Sequence, residues 1–282
     1  MEILNTVMDL RTHVATHRLQ NKWIALVPTM GALHEGHLSL VEAAQQKADK
    51  VIVSIFVNPK QFGPNEDFDR YPRTWEADCK MLETQGVSGV YAPVVEEMYP
   101  DGFATSVSVL RLSEGLCGAK RPGHFDGVAT VVSKLFMQAL PDYAFFGEKD
   151  YQQLCVLRQM TVDLNIPVEV IGAPIKRDEH GLALSSRNKY LSEEERDIAR
   201  QLNKILFAFA PRLAEKDAGV NALLEEGKTQ ILEAGFDKVD YLELRAENTL
   251  EPVSELISPA RLLCAVFLGK TRLLDNVPVL PL

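Results

Sequence analysis

The chain has 282 residues, 46% of them hydrophobic and 24% charged, with a formal net charge of −9. That length supports a large core and suggests two domains, and the acidic balance argues against a broad nucleic-acid surface, which needs a basic stripe to neutralise phosphates. Four widely spaced cysteines argue against a redox CxxC pair or a structural zinc cluster; with no apolar run of membrane-spanning length and no signal-peptide region, the expected location is the cytoplasm.

In chain order, WIALVPT (23–29) reads as a buried strand and HLSLVEAAQQKADK (37–50) as a helix ending in lysines that suit a helix C-terminus. KVIVSIFVN (50–58) is β-branched and apolar nearly throughout, the pattern of a strand buried on both faces. After an irregular Gly-, Pro- and Asp-rich segment, 74–86 reads as a helix closed by Gly86, and GVYAPV (89–94) as a strand. A helix over 127–140, a strand over 143–147, a helix over 150–165 and a strand over 168–175 complete the alternation. Strand–helix alternation implies a Rossmann-like, doubly wound parallel sheet whose ligands sit at the carboxyl ends of its strands. Beyond residue 175 the texture changes. A long helix over 192–216 carries a Ser192/Glu195 capping box, a second helix covers 220–236, and 240–246 and 261–277 supply strands of a small sheet. The expected domains are 1–175 and a smaller α+β lid, 176–282.

Candidate chemistry falls at the strand ends. PTMGALHEGHLSL (28–40) presents His34 and His37 where a strand, a glycine turn and a helix start meet. The zinc signature HExxH is absent, because the second histidine comes three residues after the first rather than four. A strand-to-helix turn instead offers free backbone N–H groups and a helix dipole to an anion, and imidazoles there can donate to phosphate oxygens. Gly31 and Gly36 allow close approach. LALSSRNKYLS (182–192) adds hydroxyl and guanidinium donors, and FFGEKDYQQL (145–154) adds Lys149, with Asp150 readable either as a site residue or as a helix N-cap. Asn58 and Gln61 are neutral amides that suit a small polar substrate, or turn formers.

Taken together, HxGH, the serine-rich basic loop and GEKD resemble the HxGH nucleotidyltransferase superfamily. Within it, PTMGALHEGH, FVNPKQF, YPRT, RPGHFDGVATVV, FFGEKDYQQ and GLALSSRN resemble, in order and across essentially the whole chain, the blocks of the pantoate–β-alanine ligase family. The resemblance implies an ATP-dependent reaction in two steps. (R)-Pantoate and ATP give pantoyl adenylate and pyrophosphate; the amine of β-alanine then displaces AMP to give pantothenate. It further implies that His34, His37, Lys149, Ser185, Ser186, Arg187 and Mg²⁺ neutralise phosphate charge, with His37 as proton donor. Met30, Gly31, Gly147, Asp150, Lys176 and Leu184 would complete the ATP site, with Lys176 contributing backbone only. Gln61 and Gln153, with Asn58 beside them, would bind pantoate, and Val131 and Val132 would line its apolar side. His124 and Asp126 stay outside the catalytic set as caps of the following helix. The sequence does not choose a metal ligand among Asp69, Asp78 and Asp150. A homodimer is implied, with no nucleic-acid or membrane partner. Two rivals are an adenylyltransferase acting on a phosphorylated cofactor precursor, which would not need Asn58, Gln61 and Gln153, and a non-catalytic nucleotide-binding regulator, which would not need both His37 and Lys149.

Overall fold

The computed structural model describes residues 1–64, 66–216 and 219–282. They form two compact units: Met1–Glu148 with Gln152–Pro174, and Lys149–Tyr151 with Ile175–Leu282. The first runs β1 (Glu2–Leu4), α1 (Val7–Arg18), β2 (Ile24–Thr29), α2 (Glu35–Gln45), β3 (Lys50–Ile55), α3 (Trp75–Thr84), β4 (Gly89–Tyr91), α4 (Val95–Met98), α5 (Leu116–Lys120), α6 (His124–Ala139), β5 (Tyr143–Gly147), α7 (Tyr151–Asp163) and β6 (Glu169–Ala173). A single-turn 3₁₀ helix, Pro59–Gln61, follows β3, and another, Glu148–Asp150, precedes α7.

The six strands pair in the order β1-β4-β3-β2-β5-β6, all parallel. Alternate residues of β2 and β3 explain why these strands read as continuous apolar runs. Ala25, Val27, Val51 and Val53 pack into one core cluster with Leu40, Val41 and Leu82, while Ile24, Leu26 and Ile52 are equally buried on the opposite face. The order also locates a ligand crevice. From β2 the chain moves to β3 on one side, and β5 later returns on the other, so the sheet reverses direction between β2 and β5. In such sheets ligands collect at the carboxyl ends flanking that reversal, here Thr29 and Gly147.

Several elements differ from the sequence reading. β1, α1 and the short helices α4 and α5 are additional, and α1 is fixed by a capping box between Thr6 and Asp9. Helix α2 starts two residues early, at Glu35, because His34 caps it, so His37 sits inside the first turn.

In the second unit, α8 (Glu193–Ala214) and α9 (Val220–Glu233) pack on an antiparallel sheet of β7 (Lys238–Ala246), β8 (Ala260–Leu268) and β9 (Thr271–Val279). The stretch 261–277 is a hairpin that turns at Gly269, which holds φ of 56°. The expected capping box is present: Glu195 N–H donates to Ser192 Oγ (3.2 Å), and Ser192 N–H donates to Glu195 Oε2 (2.8 Å).

Candidate active site

The loop leaving β2 makes an unusual turn. Gly31 and Ala32 both adopt positive φ, 79° and 52°. Successive residues in such conformations aim their N–H groups into a common hollow that suits an anion. The hollow is filled from within: Asp78 on α3 accepts from Ala32 N–H at Oδ2 (2.9 Å) and from Leu33 N–H at Oδ1 (2.9 Å), with Thr74 Oγ1 donating to Oδ1 (3.0 Å). These two amides are therefore not the phosphate donors that the turn suggested. With both oxygens so engaged and the residue only 1% exposed, Asp78 also leaves the set of magnesium candidates.

Beyond this turn His34 uses Nδ1 to accept from Gly36 N–H (3.1 Å). An imidazole accepting at Nδ1 carries its hydrogen on Nε2, which is thereby oriented as a donor. The His37 ring lies 4.1 Å from that of His34, tilted by 41°. The two imidazoles thus form one cluster on the first turn of α2, at the carboxyl end of the strand beside β5.

A second cluster follows β3. Asn58 is 1% exposed. Its Nδ2 donates to Gln61 Oε1 (3.1 Å) and to the Gly127 carbonyl (3.1 Å), and its Oδ1 accepts from Tyr99 OH (2.8 Å) and Lys60 N–H (3.2 Å). Both sides of the amide are spent inside the protein, so the expectation that Asn58 itself grips substrate gives way to a supporting role. It holds Gln61. Burial pushes the Tyr99 phenol well above its usual range. Among the described residues, Gln61 Nε2 meets only the weak thioether acceptor of Met30 (3.1 Å), a bond easily exchanged for a carboxylate or hydroxyl.

The Gln61 backbone is clamped as well. His124 Nδ1 lies 2.8 Å from the Gln61 carbonyl and its Nε2 lies 2.8 Å from Arg121 NH1, while Arg121 forks onto Glu66 with two 2.6 Å bonds. Burial pushes the Glu66 carboxyl up, but its hydrogen bond to Arg121 and the charges of Arg121 and His124 leave it below the ordinary value. His124 is therefore no helix cap. The cap of α6 is Gly123, and Asp126 instead accepts from Ser108 Oγ (2.7 Å).

Val131 and Val132 are buried on α6, the helix that runs over the Asn58–Gln61 loop. On α7, Gln152 is consumed by the 112–117 segment, accepting from Cys117 N–H (3.0 Å) and donating to the Leu112 carbonyl (3.0 Å). Gln153 is half-buried and, among the described residues, its amide is unengaged. Among the described residues, a side chain at Gly147 would meet nothing within 4 Å, so the end of β5 borders open space.

The remaining candidates belong to the second unit. Lys149 Nζ contacts Asp150 Oδ2 (3.1 Å), and the Lys149 carbonyl accepts from Asn276 Nδ2 (3.1 Å). Asp150 ends the 3₁₀ turn before α7. Lys176 is exposed and pairs through its carbonyl with Leu184 N–H (2.9 Å), which brings Leu184 and the following serines to the root of a narrow loop. Ser185 caps the 3₁₀ helix Ser186–Tyr190 by accepting from Arg187 N–H (3.3 Å), and its hydroxyl hydrogen stays available to donate. Arg177 forks onto buried Asp275 (2.7 and 2.8 Å), anchoring the start of the same loop. Among the described residues, no group of three or more His, Cys, Asp or Glu side chains is arranged to hold a metal ion, and no helix is long and apolar enough to cross a membrane.

Comparison with known proteins agrees across the chain. A family described as pantoate-beta-alanine ligase matches residues 2–278. A pantothenate synthetase of Rhizorhabdus wittichii is 53% identical over 281 residues, covering 100% of this chain and 99% of its own. A crystal structure of pantothenate synthetase from Thermus thermophilus superposes with a TM-score of 0.93 at 46% identity, covering 100% of both chains. A pantoate-beta-alanine ligase from Francisella tularensis, solved with beta-gamma ATP and beta-alanine, superposes with a TM-score of 0.81 at 35% identity over 98% of this chain and 97% of that one.

Proposed function

The chain belongs to the pantoate-beta-alanine ligase family, and on that premise we propose which of its residues carry each step of the reaction. The protein condenses (R)-pantoate with β-alanine at the expense of ATP, through a pantoyl adenylate, to give pantothenate, AMP and pyrophosphate. In the first step a pantoate carboxylate oxygen bonds to the α-phosphorus, and the bond from phosphorus to the bridging oxygen breaks to release pyrophosphate. Both reactants are anions, so orientation and charge neutralisation dominate the barrier.

On this reading His34 and His37 donate to phosphate oxygens as charge builds on the departing pyrophosphate, with His37 the proton donor. Met30, Gly31 and the open edge at Gly147 receive the nucleotide. Lys149, Ser185, Ser186 and Arg187 add donors to its phosphates, together with Asp150, Leu184 and the backbone of Lys176. Gln61 and Gln153 take the pantoate carboxylate and hydroxyls, and Val131 and Val132 face its gem-dimethyl group. In the second step the β-alanine amine attacks the acyl carbon and the acyl–phosphate oxygen bond breaks to free AMP. The observation that carries this reading is the pair of adjacent, tilted imidazoles at the start of α2, at the end of the strand that pairs with β5.

Mg²⁺ would screen the phosphate charge. With Asp78 committed to the turn, the acidic side chains left to approach it are Asp69 and Asp150, and the nucleotide's own oxygens and water would supply most of its shell. A cytoplasmic homodimer completes the reading, and sedimentation at twice the chain mass is its test. The reaction is tested by ATP–pyrophosphate exchange: the label enters ATP only when pantoate is present. Exchange without pantoate, or none with it, overturns the first step.

A further inference from the structure

Asp78 holds the two amides of the turn that carries the histidines, and no substrate role accounts for it. Its carboxylate is 1% exposed, and Ala32 and Leu33 above it are 0% and 3% exposed. No ligand can take its place without dismantling the turn. Ala32 in a left-handed conformation is strained by about 1–2 kcal/mol, and a charge-assisted pair of bonds to one carboxylate offsets that cost. Leu33 leads directly into His34, whose imidazole caps α2 and packs against His37. The direction in which α2 starts, and with it the aim of both rings, follows from where these two amides are pinned. Thr74, on the residue before α3, completes the arrangement by donating to the same carboxylate.

We infer that Asp78 is a positioning residue for the reaction: by filling the hollow of the Gly31–Ala32 turn it fixes His34 and His37 against the nucleotide phosphates, and it does not ligate metal. The inference rests on the assignment of those histidines to ATP. It joins α3 to the chemistry through the backbone alone.

The test is Asp78→Asn, which keeps the shape but sets an amide NH₂ against a backbone N–H. Misplacement of about 1 Å costs on the order of a hundredfold, so kcat for pantoate-dependent exchange should fall at least about 30-fold, with the pantoate KM moving less than about threefold. Long-range ¹H–¹⁵N spectra should show His34 losing its Nδ1-acceptor signature. In a His37→Ala background, where turnover is already about a hundredfold down, Asp78→Asn should cost less than about threefold more, because both changes remove one function. Fully multiplicative losses, an unchanged His34 signature, or activity restored by raising Mg²⁺ would overturn the inference; the last would make Asp78 a metal ligand. Thr74→Val, which removes one bond to Asp78, serves if Asp78→Asn does not fold. It should lower kcat a few-fold and shift the His34 signal, and no change in either overturns the inference. Wild-type turnover in His37→Ala alone would sink the assignment of His37, while the His34 spectrum still decides the part played by Asp78.

Discussion

Gln61 is held at both ends, by Asn58 on its side chain and by His124 on its carbonyl, and the second hold depends on an ion pair. Arg121 reaches His124 and Glu66 together, and Glu66 keeps a carboxyl pKa below its ordinary value. A depressed carboxylate stabilises the fold wherever the unfolded chain would bind more protons. That contribution is complete above the unfolded value near 4.3 and disappears as pH falls through the lower folded value. Thermal melts of wild type and Glu66→Gln should therefore run parallel from pH 7 to 5, and below about pH 4 only the wild type should lose this additional increment. Identical acid profiles would mean the pair contributes nothing. At this scale the sequence was partly legible. Gln61 could be singled out as a neutral amide after a strand, but Asn58 looked equivalent to it. Their roles differ only because Tyr99 and Gly127, 41 and 69 residues away, occupy the Asn58 amide.

Gly127 shows how an element can be shaped for its neighbour. It lies inside α6, where glycine costs about 1 kcal/mol relative to alanine. A Cβ there would sit 2.2 Å from the Lys60 carbonyl oxygen and 2.7 Å from Gln61 N. Gly127→Ala thus gains about 1 kcal/mol of helix propensity and loses about 1–3 kcal/mol to overpacking, so the clash decides the sign. The expected outcome is a lower melting temperature with a pantoate KM raised about tenfold by displacement of Gln61, and little change in kcat. An unchanged KM would show that the loop yields without moving Gln61. The glycine in a helical pattern was a readable signal of close approach. So was the strand–glycine–histidine order that put the imidazoles at a helix start. The occupant of the turn was not readable: its amides and Asp78 are 46 and 45 residues apart, and only the packing of α3 brings them together. α1 escaped notice because its apolar stripe is thin, although Thr6 and Asp9 carried its start signal.

For the whole molecule, the alternation of apolar runs and amphipathic stretches was enough to foresee a parallel sheet, and the ordered blocks were enough to foresee the family. What no local pattern could reveal is that Lys149–Tyr151, flanked on both sides by segments of the first unit, is built into the second unit. Asn276, 1% exposed, holds the Lys149 carbonyl and also accepts from Arg261, whose guanidinium lies 3.9 Å from the centre of the Tyr151 ring. Tyr151 OH in turn donates to the Glu247 carbonyl (3.0 Å). A polypeptide covering 175–282 alone would keep the Arg261–Asn276 bond but lose what Lys149 and Tyr151 supply to the Asn276 amide, the Arg261 guanidinium and the Glu247 carbonyl. Each such lost bond costs about 1–3 kcal/mol, against a total stability of about 5–15 kcal/mol for a domain. Such a fragment should give a poorly dispersed amide spectrum, and a well-dispersed one would show that the three residues are dispensable to it. Neither unit is one continuous stretch of backbone, so no single proteolytic nick or stop codon yields both as separate products. Excision experiments, split-protein designs and circular permutants of this chain have to carry residues 149–151 with the C-terminal portion.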